Sequence, residues 1–178
     1  AFAISVVAIL TAFSSLGLGN ILVREIINQP YDTRELLGTS FYSKLVVSFL
    51  LFMVVCIIYL TQDNLQNLLL VIIAGSIIFR SLDVVEFLYQ SKVQAKYPVT
   101  VKFVSIVIAD STKVILIIFN GPLVYFAAAY LSEFVIMALG YFIILEVQKN
   151  HLSNWIFSFS TAKKLLKDSW PLMFSTVA

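Results

Sequence analysis

NLLLVIIAGSIIFRSLDVVEFLYQ, residues 67–90, is long and apolar enough to cross a membrane as one helix, since a bilayer core about 30 Å thick needs roughly 20 residues. Its second half nevertheless contains Arg80, Asp83 and Glu86. Each charge inside a membrane costs about 2.5–3.5 kcal/mol by insertion scales. Three charges facing lipid would cost on the order of 10 kcal/mol, comparable to the whole stability of a domain. We therefore expect this side of the helix to face protein or a water-filled cavity.

The rest of the chain has the same apolar character. Of its 178 residues, 60% are hydrophobic and 12% are charged, with a mean hydropathy of +0.96, whereas a soluble domain carries about 25% charged residues. This composition predicts a membrane protein. The chain starts within one apolar run, residues 1–10, and stops within another that begins at Pro171. We therefore expect it to be part of a longer polypeptide.

Five segments have the length of a transmembrane helix, and a sixth begins near the end of the chain. No segment shows the alternating pattern of a barrel strand, so the predicted fold class is all-α, a polytopic transmembrane helix bundle. The connections 24–40 and 147–169 are expected to contain short interfacial helices. The predicted helices are residues 1–23, 41–60, 67–90, 99–119 and 122–146, with the next starting at 171, and the predicted cytoplasmic connections are 24–40, 91–98 and 147–170.

The distribution of Lys and Arg predicts the orientation of these helices. The connections and helix ends on one side collect ten of the 12 basic residues, whereas TQDNLQN (61–67) and NGP (120–122) on the other side contain none. By the positive-inside rule the basic side is cytoplasmic. The remaining two, Arg80 and Lys113, lie within predicted spans. The ten are Arg24, Arg34, Lys44, Lys92, Lys96, Lys102, Lys149, Lys163, Lys164 and Lys167.

The polar residues of the 67–90 helix lie on one side of it. At about 100° per residue, Arg80, Asp83, Glu86 and Gln90 fall within one sector roughly 120° wide. The remaining circumference is mostly apolar. We therefore predict that these four residues line a central polar cavity.

Polar residues of the other predicted helices are candidates for the same cavity. Lys102 and Lys113 share one side of the next helix, with Asp110 at its edge. Glu133 lies near the middle of the helix after that, and Arg24 lies at the cytoplasmic end of the first. By contrast, the helix 41–60 contains only Ser43, Lys44 and Ser48 as polar residues and is expected to face lipid.

Structural ion pairs are the alternative explanation for these charges. Arg80 with Asp83, and Asp110 with Lys113, are three residues apart and could neutralise each other within one helix. Glu133 has no partner in its own helix, so it must pair across helices or be protonated.

The sequence lacks the residues of common enzyme sites. His151 is the only histidine and Cys56 the only cysteine, so the sequence provides no His- or Cys-based metal site and no Ser-His-Asp triad. It also contains no P-loop and no dinucleotide-binding glycine motif. We therefore expect no enzyme activity, no metal, no cofactor and no nucleic-acid partner.

Several segments resemble, in order, the bacterial polysaccharide flippases of the multidrug/oligosaccharidyl-lipid/polysaccharide exporter superfamily. The resemblance covers essentially the whole chain, and no single piece of it is a catalytic fingerprint. The segments are LGLGNILVREIINQP (16–30) and ELLGTSFYSKL (35–45) for the second and third spans, FLYQSKVQAKYPVTVK (87–102) for the end of the fourth, GPLVYFAAAYLSEFVIMALGYF (121–142) for the sixth, and FSFSTAKKLLKDSWPLMFS (157–175) for the approach to the seventh.

The resemblance implies a two-lobed transporter of about 12 to 14 helices, of which this chain would supply spans two to six and the start of seven. Such proteins flip undecaprenyl-diphosphate-linked oligosaccharides across the bacterial inner membrane for O-antigen, capsule or exopolysaccharide synthesis. They are thought to work by alternating access, with a cationic cavity between the lobes. Arg24, in "LVRE", matches a recurrent family arginine. The implied partners are the lipid-linked oligosaccharide, membrane lipid, and polysaccharide polymerase with other assembly proteins.

The charges inside the predicted spans depart from a purely cationic cavity. The acids could neutralise the cations, or one could carry a coupling H⁺ or Na⁺. The acid excess also keeps open a cation-coupled drug or metabolite exporter of the same superfamily. A third alternative is a non-transporting membrane scaffold subunit, in which side chains would plug the polar stripe. The embedded charges are Arg80 and Lys113 against Asp83, Glu86, Asp110 and Glu133.

Overall fold

The computed structural model describes residues 2–28, 33–61 and 64–177, and helices and short turns account for nearly all of them. No strand occurs in these ranges, so the predicted all-α class is confirmed. The elements are α1 (Phe2–Ser14), α2 (Leu18–Asn28), α3 (Thr33–Thr61), α4 (Leu65–Phe79), a 3₁₀ turn (Arg80–Asp83), α5 (Val84–Ser91), α6 (Lys96–Ile118), α7 (Leu123–Val147), a second 3₁₀ turn (Leu152–Asn154) and α8 (Phe159–Val177).

Four helical stretches of the described chain are long and apolar enough to cross a membrane. Helix α6, which matches the predicted span 99–119, has 23 residues but is not among the four. It contains Lys102, Asp110 and Lys113, and three charged residues within one span exceed the two that this class of apolar helix allows. The four stretches are Ala3–Asn28, Thr33–Leu60, Leu65–Ser91 and Leu123–Val147.

The first predicted helix, 1–23, is interrupted in the structure. Leu16 and Gly17 have φ angles of 53° and 62°, in the left-handed region that a right-handed helix excludes. The amide of Gly17 donates to Ser15 Oγ at 3.4 Å, and α2 then restarts at Leu18. The chain therefore enters α2 through a tight turn, which allows α1 and α2 to pack against different neighbours.

The connections that were predicted to be cytoplasmic are shorter in the structure, because the helices extend into them. Helix α2 continues to Asn28 and α3 starts at Thr33, so the described part of 24–40 holds helix ends in place of separate interfacial helices. Residues 29–32 lie outside the described residues. Helix α8 begins at Phe159, within the connection 147–169 that was expected to contain a short helix, continues past the predicted span start at 171, and buries Leu165 in the core.

Two apolar clusters hold the bundle together. The larger joins α2, α3, α5, α7 and α8 around the fully buried Leu22, Leu88 and Tyr141. The smaller joins α1, α3, α4 and α7 and includes Val7 and Ile73. The outer faces of these helices are also apolar, as expected of surfaces that contact lipid. Helix α4 and the 3₁₀ turn Arg80–Asp83 pack against α7, which positions the charged residues described below.

Gly38 is required where the chain before α8 crosses α3. The amide of Ser158 donates to Thr39 Oγ1 at 3.1 Å, and the amide of Ile156 donates to the carbonyl of Arg34 at 3.4 Å. A Cβ on Gly38 would lie 2.5 Å from the backbone oxygen of Ile156. This backbone cannot move without breaking both hydrogen bonds.

Gly38→Ala is therefore expected to lower the free energy of unfolding by about 2 kcal/mol. The measurement is thermal unfolding of the purified full-length protein in detergent. Gly75→Ala is the matched control, because its Cβ would meet only the flexible end of Leu131 at 3.3 Å. Equal unfolding temperatures for the two variants would contradict the packing described here.

Candidate functional site

The helix formed by α4 and α5 changes geometry at the residues that carry charge. Arg80–Asp83 form a single 3₁₀ turn between two α-helical segments. Lys44 Nζ of α3 donates a hydrogen bond to the carbonyl of Arg80 at 3.3 Å. Irregular backbone inside a membrane is tolerated where protein groups satisfy it, and discontinuous helices line the binding sites of many transporters. Lys44 therefore supports the backbone at the centre of the candidate site.

A cavity of about 300 Å³ lies beside this turn, between it and helices α6 and α7. Four of the residues predicted from sequence line it: Arg80, Asp83, Lys102 and Glu133. Its remaining lining is partly apolar and partly aromatic. The other lining residues are Ser105, Ile106, Phe134 and Met137.

Ion pairs hold α6 against its neighbours at two levels. Lys102 Nζ lies 2.6 Å from Glu86 Oε2 of α5. Lys113 Nζ lies 2.8 Å from Asp110 Oδ1 of the same helix and 3.5 Å from Glu133 Oε2 of α7. Glu133 thus pairs across helices, which is one of the two outcomes expected from the sequence. Asp110 and Lys113 do form the predicted intrahelical pair, but Lys113 also links two helices.

Arg80 and Asp83 do not neutralise each other within the described chain, which contains no ion pair between them. The guanidinium carbon of Arg80 lies 4.4 Å from the ring centroid of Phe134, a cation–π contact that orients the side chain. Arg80 Nε and Asp83 Oδ1 are buried, and neither has a hydrogen-bond partner in the described chain. Buried charged atoms are costly without partners, so both atoms are available to a polar group that enters the cavity.

Lys44 is the functional candidate that the sequence analysis missed. The helix 41–60 was expected to face lipid, and this is correct only for one side of α3. Lys44 is 4% exposed, and Ser40 and Ser48 are buried as well. The ammonium group of Lys44 lies within electrostatic range of Asp83, Glu86 and Arg80. The spacing of four residues between Ser40, Lys44 and Ser48 is the signal that could have identified a buried polar face.

Four of the predicted site residues do not line the cavity. Glu86 and Lys113 form ion pairs with the lining residues Lys102 and Glu133, whereas Arg24 and Gln90 lie away from it. Arg24 is 59% exposed, and its guanidinium lies 3.2 Å from Glu25 Oε1. Glu25 Oε2 also accepts a hydrogen bond from Lys164 Nζ at 3.0 Å, so this group links α2 to α8. Gln90 is exposed near the end of α5. Neither Arg24 nor Gln90 is among the residues that line the cavity.

The structure changes the charge balance expected for the embedded residues. Lys44 and Lys102 were assigned to the cytoplasmic ends, but both belong to this charged cluster. The described cluster therefore has four cations and four acids where the sequence analysis counted two and four. The cations are Lys44, Arg80, Lys102 and Lys113, and the acids are Asp83, Glu86, Asp110 and Glu133.

Comparison with protein families supports the resemblance found in the sequence. The family model described as "Polysaccharide biosynthesis protein" matches residues 1–178, which is the whole chain. Searches of curated proteins and of solved structures gave no match. The predicted resemblance to polysaccharide flippases is thereby confirmed. The chain belongs to the polysaccharide biosynthesis protein family, a family of multi-pass membrane proteins whose members are transporters rather than enzymes.

Proposed function

We propose that the protein moves undecaprenyl-diphosphate-linked oligosaccharides from the cytoplasmic to the outer leaflet of the bacterial inner membrane. The observation that carries this proposal is the charged cavity of about 300 Å³ within an otherwise apolar bundle. A lipid-linked sugar needs a polar path for its headgroup, while its isoprenoid chain can stay in lipid. Membership of the polysaccharide biosynthesis family supports a role in O-antigen, capsule or exopolysaccharide synthesis.

The residues of the cavity suit the two parts of such a headgroup. Arg80 and Lys102 offer cationic donors to the diphosphate, and Arg is suited to phosphate because its planar guanidinium can donate two parallel hydrogen bonds. Asp83 and Glu133 offer acceptors for sugar hydroxyl groups. No covalent step is required of the protein. Transport follows from exposing the loaded cavity to each side of the membrane in turn.

The proposal includes coupling of this movement to H⁺ or Na⁺. Asp83 is the candidate carrier, because its buried Oδ1 has no hydrogen-bond donor in the described chain and Lys44 lies near enough to influence its charge. We propose that the product leaves toward the polysaccharide polymerase and other assembly proteins. These partners take up the lipid-linked unit at the outer leaflet.

The balanced charge of the cluster weakens the case for a drug or metabolite exporter. That alternative drew its support from an excess of embedded acids. With Lys44 and Lys102 in the cluster, the described cations and acids are equal in number. The presence of an unplugged cavity likewise gives no support to a scaffold without transport activity.

Arg80→Gln tests the transport proposal. This change removes the cation but keeps hydrogen-bonding capacity and most of the side-chain length. Because a charge-assisted hydrogen bond to phosphate contributes about 1.5–3 kcal/mol, surface polysaccharide is expected to fall at least about tenfold. The lipid-linked unit is expected to accumulate in the inner leaflet. Immunoblotting of surface polymer and mass spectrometry of extracted lipid-linked units measure the two effects.

Lys163→Gln is the matched control, since Lys163 is an exposed residue of α8 that does not line the cavity. It should leave surface polysaccharide at the wild-type level. Both variants must be present in the membrane fraction at wild-type amounts. Wild-type polymer display by Arg80→Gln under that condition would refute the assignment of Arg80 to the substrate path.

A further inference from the structure

A second cavity lies away from the charged cluster, where the ends of four helices meet. Its volume is about 630 Å³, within the range of about 300–1,000 Å³ typical of small-molecule sites. It is bounded by the C-terminal ends of α2 and α5, the N-terminal end of α3, and the chain that follows α7. The predicted topology places all four of these ends on the cytoplasmic side of the membrane. The cavity therefore lies at the level of the lipid headgroups on that side.

Three basic side chains line this cavity: Arg34, Lys92 and Lys149. His151 is also part of the lining, and Asn150 and Asn154 add amide groups. No Asp or Glu occurs among the described residues that line it. Within the described chain none of the three cations forms an ion pair.

The carboxylates carried by the same helices do not line this cavity. One acid on each of α2, α3, α5 and α7 has a partner in the described chain, and one of these partners, His151, belongs to the lining. Among the described lining residues the charged side chains are therefore basic. The partners are Arg24 and Lys164 for Glu25, the hydroxyl of Thr161 for Glu35, Lys102 for Glu86, and His151 Nδ1 at 2.8 Å for Glu146.

Lys149 occupies a backbone position that suits glycine better. Its φ is +57°, and it follows α7 in a Schellman motif. In this motif the amide of Asn150 donates a hydrogen bond to the carbonyl of Leu145 at 2.9 Å, and the amide of Lys149 donates one to the carbonyl of Glu146 at 3.1 Å. Helices usually place Gly at this position because other residues are strained in the left-handed region. Lys149 thus provides a charged side chain to the cavity at a position where the backbone conformation favours glycine.

We propose that this cavity binds a phosphate group at the cytoplasmic face of the membrane. Arg34 provides the planar donor pair, and Lys92 and Lys149 provide point charges. The apolar floor, which includes Leu37 and Trp155, suits the ester-linked part of a phospholipid. Basic pockets between transmembrane helices on the cytoplasmic side are suited to anionic headgroups. This inference does not depend on the proposed transport function.

Binding to the purified, delipidated full-length protein in a neutral detergent tests the proposal. The three probes are dihexanoyl-phosphatidylglycerol, dihexanoyl-phosphatidylcholine and inorganic pyrophosphate, each titrated by calorimetry. Lys149→Gly removes one cation and places Gly at the left-handed position, so it preserves or raises the stability of the α7 end. Its affinity for the bound anion is expected to fall about tenfold, as for the loss of one charge-assisted hydrogen bond.

Asn120→Gly is the matched control, because Asn120 occupies the same left-handed position after α6, with φ of 51°, and does not line this cavity. It should bind as the wild type does. Arg34→Gln is a second test variant and should also lose about tenfold in affinity. Its result stands independently of any change that Lys149→Gly makes to the backbone.

The three probes distinguish the source of the phosphate. Binding of phosphatidylglycerol alone identifies a lipid headgroup, whereas tight binding of pyrophosphate that competes with the lipid identifies a soluble phosphate. Either result, with the expected losses in the two test variants, supports the site. Equal affinity for phosphatidylcholine, or unchanged affinity in both Lys149→Gly and Arg34→Gln, would overturn it.

Discussion

Replacing Lys44 with Met is expected to lower the free energy of unfolding by about 3 kcal/mol, because it removes a buried cation whose charge acts on the buried Asp83 and leaves that acid less compensated. Met has nearly the same length and fills the same space beside Phe87, whose ring centroid lies 5.8 Å from Lys44 Nζ. The change also removes the donor to the carbonyl of Arg80. Unfolding of the purified full-length protein in detergent, followed by circular dichroism, measures the effect.

Asp83→Asn completes a double-mutant cycle for this pair. If the two charges compensate each other, the double variant Lys44→Met/Asp83→Asn loses less stability than the sum of the single variants. A coupling of at least about 1 kcal/mol is expected for groups in one buried network. Strict additivity would show that Lys44 and Asp83 are energetically independent. In that case the role of Lys44 would be limited to its hydrogen bond with Arg80.

The overall class of this fold follows from the sequence because one energy dominates, the cost of placing backbone groups without hydrogen-bond partners in lipid. For runs as apolar as 67–90 a helix avoids this cost, and the structure has helices there. The interruptions were harder to predict. Leu16 adopts a left-handed conformation that its residue type disfavours, and the 3₁₀ turn at Arg80–Asp83 depends on a donor from another helix. Both features arise from tertiary contacts, which local pattern does not contain.

Only part of the candidate site could be predicted, because contacts between helices also decide which residues reach the cavity. Arg80 and Asp83 were grouped correctly because residues of one helix keep fixed relative positions. Lys44 was missed because a lysine near the end of a predicted span satisfies the positive-inside rule equally well. Gln90 was predicted to belong to the polar stripe, but the structure leaves this residue exposed beyond the cavity. Depth along a helix depends on how far its neighbours extend, and a single helix does not reveal this.

Glu86→Lys is expected to abolish transport and to reduce the amount of protein in the membrane. The change replaces a 2.6 Å ion pair with Lys102 by two cations on facing helices, and juxtaposed like charges cost several kcal/mol. Helix α6 loses one of the two ion-pair links that hold it to its neighbours. Asp168→Lys is the control, because Asp168 is exposed on α8 and forms no ion pair within the part of the chain that the structure describes. It should leave both protein level and surface polysaccharide unchanged.

The exchanged variant Glu86→Lys/Lys102→Glu separates the structural role of this pair from its proposed role in transport. Restoring opposite charges between α5 and α6 should return the protein to near its wild-type level in the membrane. Transport should stay at least about tenfold below wild type, as expected for the loss of a charge-assisted contact to phosphate. The reason is that Lys102 lines the cavity whereas Glu86 does not, so the exchange moves the cation away from the diphosphate and puts an acid in its place. Full recovery of surface polysaccharide would show that Lys102 only holds α6 in position and that Arg80 alone meets the substrate's negative charge.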